Sequence, residues 1–197
     1  MFSLTAFAQE TTKAQTWIEN HAHEIHFKTI SNFDNSENVY EFYVKNDKML
    51  IKNAPMENFI NLDVLYDGES YYIYPSKFPF LHFMITDGTG YNPAQDIIPT
   101  SLDGYYFIKS YTKTINSKEY YVEAFNDFEE YNGYSSLIEF IFEDDELKFI
   151  ASDDDFDSRI EIISTQVDDS VFEPPFFSIN LTAIFTIISR FFGFGII

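Results

Sequence analysis

Four stretches of this chain alternate apolar and polar residues with a period of two, and that alternation limits the fold more than any other feature. In "VYEFYVKN" Tyr40, Phe42 and Val44 fall on one side and Glu41 on the other. "FINLDVLYDG" sets Ile60, Leu62, Val64 and Tyr66 against Asn61, Asp63 and Asp67. "KEYYVEAFND" sets Tyr120, Val122 and Ala124 against Glu119, Tyr121 and Glu123, and "LIEFIFED" sets Ile138, Phe140 and Phe142 against Glu139 and Glu143. Successive strand side chains point to opposite faces, so this pattern predicts antiparallel strands with one face in the core and the other in water. Turn sequences separate these runs: Lys45 to Lys48, Tyr66 to Glu69, Ile115 to Lys118, Glu143 to Glu146 and Asp153 to Ser158. Close turns of this kind predict about ten strands joined mostly as consecutive hairpins. The 23 Phe and 14 Tyr suit such strands, because large rings pack well on a pleated surface.

Two segments depart from the pattern. Glu10 to Ala22 reads as a short helix, with Thr11 and Thr12 as caps and Trp17 and Ile18 on the inner side. Ile85 to Gly104 carries Gly and Pro without alternation, which predicts a long loop or irregular helix serving as a lid.

Charge excludes some functions. Acidic residues outnumber basic ones 32 to 12, for a net charge of -20. A field of that sign repels phosphate backbones, so nucleic acid is not an expected partner. Cysteine is absent, which removes thiolate catalysis, disulfides and cysteine-ligated metals.

The ends are oily where the body is acidic. "SLTAFA" before Gln9 reads as the close of a secretory signal, with Ala6 and Ala8 forming a peptidase site and cleavage after Ala8. Residues 1–8 are therefore expected to be a signal remnant, 9–175 the folded domain and 176–197 a hydrophobic tail with helical character. Arg190 is the sole charge from Phe176 onward. Phe176 to Ser189 is too short for a bilayer core of about 30 Å; continuing to Ile197 suffices but encloses Arg190. Three readings of the tail stand: a membrane anchor that spans the bilayer or lies in its interface, a helix folded back to plug the concave face of the sheet, and a helical oligomer contact. The expected partner of the tail is the membrane.

Reactive constellations are sparse. His21, His23 and His26 in "HAHEIH" have metal-ligand residue type, yet the pattern fits better a helix end running into a strand. Asp153, Asp155 and Asp157 mimic the first half of a calcium loop, but Ser158 and Ser164 stand where such a loop has Gly and Glu. No phosphate loop, nucleophile elbow or isolated acid/base pair is legible, so neither an enzyme nor a metal or cofactor is expected. The pairs Tyr71-Tyr72, Tyr105-Tyr106 and Tyr120-Tyr121 place one ring on each face of a strand, serving core packing or an aromatic-lined cleft.

With "VLYDGESYYIYPSK" (Val64 to Lys77) and "IEFIFEDDELKFI…RIEIISTQVDDSVFEPP" closing on Phe172, Glu173 and Pro174, the chain resembles the LolA-like lipoprotein-carrier family of exported bacterial proteins. The likeness spans roughly residues 10 to 175 and rests on the order of a helix, a hairpin meander and a midway interruption. It implies an α+β, mostly β fold: an antiparallel meander forming an incomplete half-barrel whose concave face holds acyl chains or another apolar ligand. Phe42, Leu62, Tyr66, Ile73, Phe140 and Phe142 are the expected inner-face, ligand-binding residues. The expectation is an exported, membrane-associated, non-enzymatic binder of lipid. The alternative is a tethered surface interaction or sensor module with a filled core.

Overall fold

The structure, a computed structural model, describes residues 11–33, 36–55, 61–79, 81–86, 98–127, 137–152, 155–174 and 179–180. Helix α1 (Lys13–His21) leads into β1 (Glu24–Phe33), β2 (Ser36–Lys45), β3 (Lys48–Pro55), β4 (Asn61–Tyr66), β5 (Ser70–Pro75) and β6 (Leu81–Thr86). Next come β7 (Tyr105–Ile115), β8 (Lys118–Asp127), β9 (Leu137–Glu143), β10 (Glu146–Ser152), β11 (Arg159–Ser164), a 3-10 turn (Asp169–Phe172) and β12 (Ile179–Asn180). The strands form one open sheet in the order β12-β6-β5-β4-β3-β2-β1-β11-β10-β9-β8-β7. All described pairings are antiparallel except that of β12 with β6.

The chain thus lays down two meanders, β1–β6 and β7–β11, and joins them where β1 meets β11. Tight turns fix the registers. Asn46, Asn116, Ser117 and Asp144 take positive φ at hairpin tips, a conformation that short polar side chains tolerate. At the β4–β5 turn Asp67 accepts the amides of Glu69 and Ser70, and Gly68 sits at φ +100. A Cβ there would come within 2.7 Å of the Asp47 carboxylate, so this hairpin requires glycine on both counts.

Register carries apolar residues across the sheet in rows. One row runs from Ile162 through Phe27, Phe42, Ile51, Val64 and Ile73 to Phe83. A second runs from Ile25 through Val44, Met49, Tyr66 and Tyr71 to Ile85. Helix α1 sets Ala14, Trp17 and Ile18 onto this face, in one core with Phe27, Phe42, Tyr66, Phe140 and Phe142. Its expected cap is Thr12, whose side chain accepts the Gln15 amide.

The opposite face is not simply wet, which corrects the expectation from alternation. Leu50, Leu65 and Tyr74 pack there under Val167 and Phe172, brought back across the sheet by the segment after β11. Lys45 donates to the Val167 carbonyl at 2.9 Å, and Glu24 accepts the Val167 amide at 2.9 Å. The second bond holds the Glu24 carboxyl below its ordinary pKa. Val122, Ile141 and Ala151 form another cluster on that face with Phe149 and Phe156 around them. The sheet is therefore covered on both sides over much of its area, and two acidic residues that alternation assigns to water, Glu123 and Glu139, are 3% and 1% exposed.

The expected loop Ile85 to Gly104 also changes at its front end, because Ile85 and Thr86 belong to β6. Residues 87–97 of that expected lid, the signal remnant and all but Ile179 and Asn180 of the tail lie outside the described residues. Among the described residues no helix is long and apolar enough to cross a membrane.

Candidate functional site

The apolar face of the sheet around α1 holds the cavities. Segment Ile98 to Tyr105 crosses this face next to the helix, with Ile98 sunk to 3% exposure in the core. A cleft of about 180 Å³ lies between Ile18, Ala22, Ile25, Val44 and Ile98. A wider groove of about 490 Å³ opens beside it, lined by Thr29, Pro99, Tyr105, Ile138, Ile150 and Ile160 and bounded at its rim by Ser152, Ser158 and Arg159. Thr29, Ile160 and Ile150 are register neighbours on β1, β11 and β10, so the groove floor is a continuous stretch of sheet. Its volume falls within the range of roughly 300–1,000 Å³ typical of small-ligand sites, and its lining is mainly apolar, with a few hydroxyls and one charged residue, Arg159.

The six residues expected to bind ligand divide in two. Phe42, Tyr66, Phe140 and Phe142 are 7%, 1%, 0% and 1% exposed and form the packed core beneath α1. Phe42 stacks on Phe27 with centroids 4.9 Å apart, and Phe140 meets Phe125 edge-on at 5.4 Å. Leu62 and Ile73 are half-buried, on the part of the face nearer β6. The groove walls are mostly residues not singled out from sequence: Thr29, Pro99, Ile150 and Ile160. Ile138 was legible as an inward residue of β9, but nothing in the alternation marks which inward positions the helix leaves unoccupied.

What positions the helix is Glu123. Its carboxylate accepts the backbone amides of Lys13 at 3.1 Å and Ala14 at 2.8 Å, and the Tyr121 hydroxyl at 3.1 Å. The first amides of a helix have no intrahelical acceptor, and a negative charge there also meets the positive end of the helix dipole. Outside, Lys13 Nζ reaches Asp145 at 2.7 Å, tying the same end to the β9–β10 turn. Glu123→Ala leaves buried donors unpaired, so we expect a loss of about 2–3 kcal/mol in urea unfolding, with Trp17 fluorescence reporting the helix. Asp145→Ala, at an exposed pair, is expected to cost under about 1 kcal/mol.

The histidine cluster does not assemble. His21 sits at the end of α1 against Trp17, His23 lines the small cleft, and His26 lies on the other face, stacked on Tyr43 at 4.0 Å. His26 Nε2 is 2.7 Å from Glu41, which also accepts the Tyr43 hydroxyl at 3.0 Å. Burial works against the Glu41 charge, but the bonds from His26 and Tyr43 outweigh it and its pKa is lowered. Burial, followed by the Glu41 contact, pushes Tyr43 up to about 12. This dyad is a cross-strand brace whose hydroxyl is committed to the carboxylate. No group of three or more metal-ligating side chains occurs among the described residues. In the acidic turn, Asp155 accepts the amides of Asp157 and Ser158, closing the turn on itself; Asp153 lies outside the described residues.

Each tyrosine pair splits across the sheet. Tyr71 stacks on Tyr66 and Tyr121 faces Phe142 on the helix side, whereas Tyr72 and Tyr120 pack on the other face. Of the third pair, Tyr105 lines the groove and Tyr106 is 52% exposed.

His82 on β6 is 5% exposed, and its Nδ1 has no hydrogen-bond partner among the described residues. Burial holds its pKa below the ordinary 6.5. The unfolded chain then takes up the proton more readily, so stability contributed by neutral His82 falls as pH drops below 6.5 and levels off below the folded pKa. His82→Phe is expected to flatten the decline in melting temperature between about pH 7 and 5, leaving the carboxylate-driven loss at lower pH in place.

No protein-family model matches this chain, and no curated protein matches it significantly.

Proposed function

We propose that the protein is an exported, non-enzymatic carrier or receptor for an apolar ligand, an acyl chain or similar lipid, held on the helix-bearing face of the sheet. The observation that carries this reading is the groove of about 490 Å³ floored by Thr29, Ile150 and Ile160. The half-barrel is part of the same proposal: a sheet of this order, curled around α1 and segment 98–105, presents one concave apolar wall. The LolA-like resemblance in the order of helix and meander supports the half-barrel reading, and the apolar segment ending at Ala8 supports export. Membrane association is part of the same proposal, through the apolar tail of residues 176–197 with its single charge at Arg190.

The ligand site is shifted from the residues expected at first. Phe42, Tyr66, Phe140 and Phe142 already satisfy one another and α1, so the ligand lies beside them, over Ile138, Ile150 and Ile160. Such a ligand would gain roughly 25 cal/mol for each Å² of apolar surface removed from water.

The test is titration with a fluorescent fatty acid. The native chain is expected to saturate at one site, and Ile160→Trp, which fills the groove, is expected to weaken binding at least tenfold, or about 1.4 kcal/mol. Ile85→Trp, 54% exposed on β6 and several strands away from the groove, serves as the control and is expected to bind normally. Equal binding by both variants contradicts the site. Absence of binding by the folded native chain favours the interaction module with a filled core, a reading the four buried aromatics also fit.

A further inference from the structure

A second cavity, of about 490 Å³, lies between the start of α1 and segment 98–105. It meets the ligand groove at Tyr105, which lines both. The two linings differ in chemistry. Where the groove is mainly apolar, this cavity is walled by the hydroxyl-bearing residues Thr11, Thr12, Thr100 and Ser101, with Gln15 beside them. Short bonds hold these side chains in place. Thr12 Oγ1 accepts the Gln15 backbone amide at 3.2 Å, the Gln15 side chain donates to Glu19 at 3.0 Å, and Ser101 Oγ accepts the Asp103 amide at 2.8 Å. A hydroxyl that accepts such a bond keeps its own proton to donate.

One wall is aromatic. Phe107 on β7 pairs with Phe125 on β8, and their rings meet edge-on with centroids 5.6 Å apart. Phe125 is sunk in the core under α1 and anchors Phe107, which stays 38% exposed. The face of such a ring is electron-rich and attracts the weakly positive C–H groups of a sugar ring. The hydroxyls of that sugar then need donors and acceptors around the rim, which the threonines, Ser101 and Gln15 supply. Charge narrows the ligand further. The charged residues of the described lining are Glu19 and Asp103, and none is basic. Phosphate, sulfate or carboxylate would meet a negative wall in a chain of net charge -20.

We infer that this cavity binds an uncharged glycosyl group, stacked on Phe107 and hydrogen-bonded by Thr11, Gln15 and Ser101. The inference goes beyond the lipid reading and stands without it. Two sources supply this chemistry: a free saccharide, and the sugar head of a glycolipid whose chain lies in the adjoining groove.

Calorimetric titration of the full chain tests it with glucose, maltose and lactose, with dodecyl maltoside below its micelle concentration, and with glucuronate as the charged counterpart of glucose. At least one neutral glycoside is expected to bind and glucuronate is not. Phe107→Ala is expected to weaken the bound glycoside at least tenfold, whereas Phe107→Tyr, which keeps the ring, retains it. Circular dichroism checks that both variants are folded. A free saccharide as the source predicts that dodecyl maltoside binds no tighter than maltose. A glycolipid predicts at least tenfold tighter binding of dodecyl maltoside, with the gain lost in Ile160→Trp and maltose binding unchanged. Failure of the lipid reading alone removes only that gain, so the two readings fail separately. No binding by any neutral glycoside would overturn the inference. So would glycoside binding unchanged in folded Phe107→Ala, or glucuronate binding as tight as that of the neutral sugars.

Discussion

Glu139→Ala is expected to unfold at a much lower urea concentration than the native chain, with a loss of about 3–5 kcal/mol. Glu139 is 1% exposed on β9, on the face opposite α1. Lys113 Nζ approaches it at 2.6 Å, and the Tyr111 hydroxyl donates to its other oxygen. Both partners come from β7, two strands away, so the carboxylate ties the edge strand to the strand pair inside it. Truncation strands a partly buried ammonium and a phenol, and such uncompensated groups cost more than the intact pair contributes. The paired change Glu139→Leu with Lys113→Met is expected to recover much of the loss, since apolar residues of similar volume replace a buried pair at little cost. If Glu139→Ala alone is neutral, the ion pair is not buried as described.

Phe140→Ala is expected to cost about 3–5 kcal/mol in the absence of any ligand. Its ring has no exposure and packs edge-on against Phe125, in the core that also holds Trp17 and Ile18. A residue that merely lined a ligand cleft would lose binding on truncation and leave the empty protein's stability nearly unchanged. Equilibrium unfolding of delipidated protein separates the two, and the expected large loss assigns Phe140 to the core rather than to the cargo.

Much of the sheet was legible from period-two alternation and turn chemistry, because hairpins are local and their turns carry short polar residues. The four quoted runs became β2, β4, β8 and β9, and the capping Thr12 with Trp17 and Ile18 marked the helix. Alternation failed where it took charge as a sign of water. Glu123 is polar because it receives the helix amides, and Glu139 because it receives Lys113 and Tyr111; both partners are more than twenty residues away in sequence. In β8 this reverses the faces, so that Tyr121, Glu123 and Phe125 point toward the helix and Val122 and Ala124 away. The groove was invisible for a related reason. Period two says which side chains face inward, but where α1 and Ile98 land on that face decides which of them stay accessible, and nothing local encodes the landing.

A lipid site on this face is tested most directly by mass spectrometry of organic extracts from the full chain, expressed in bacteria and purified without detergent, beside Ile160→Trp treated in the same way. We expect near-stoichiometric lipid from the native chain and little from the variant, with circular dichroism showing both folded. Folded native protein that yields no lipid, or a variant that carries as much as the native chain, would contradict the proposal that this face of the sheet is a lipid site.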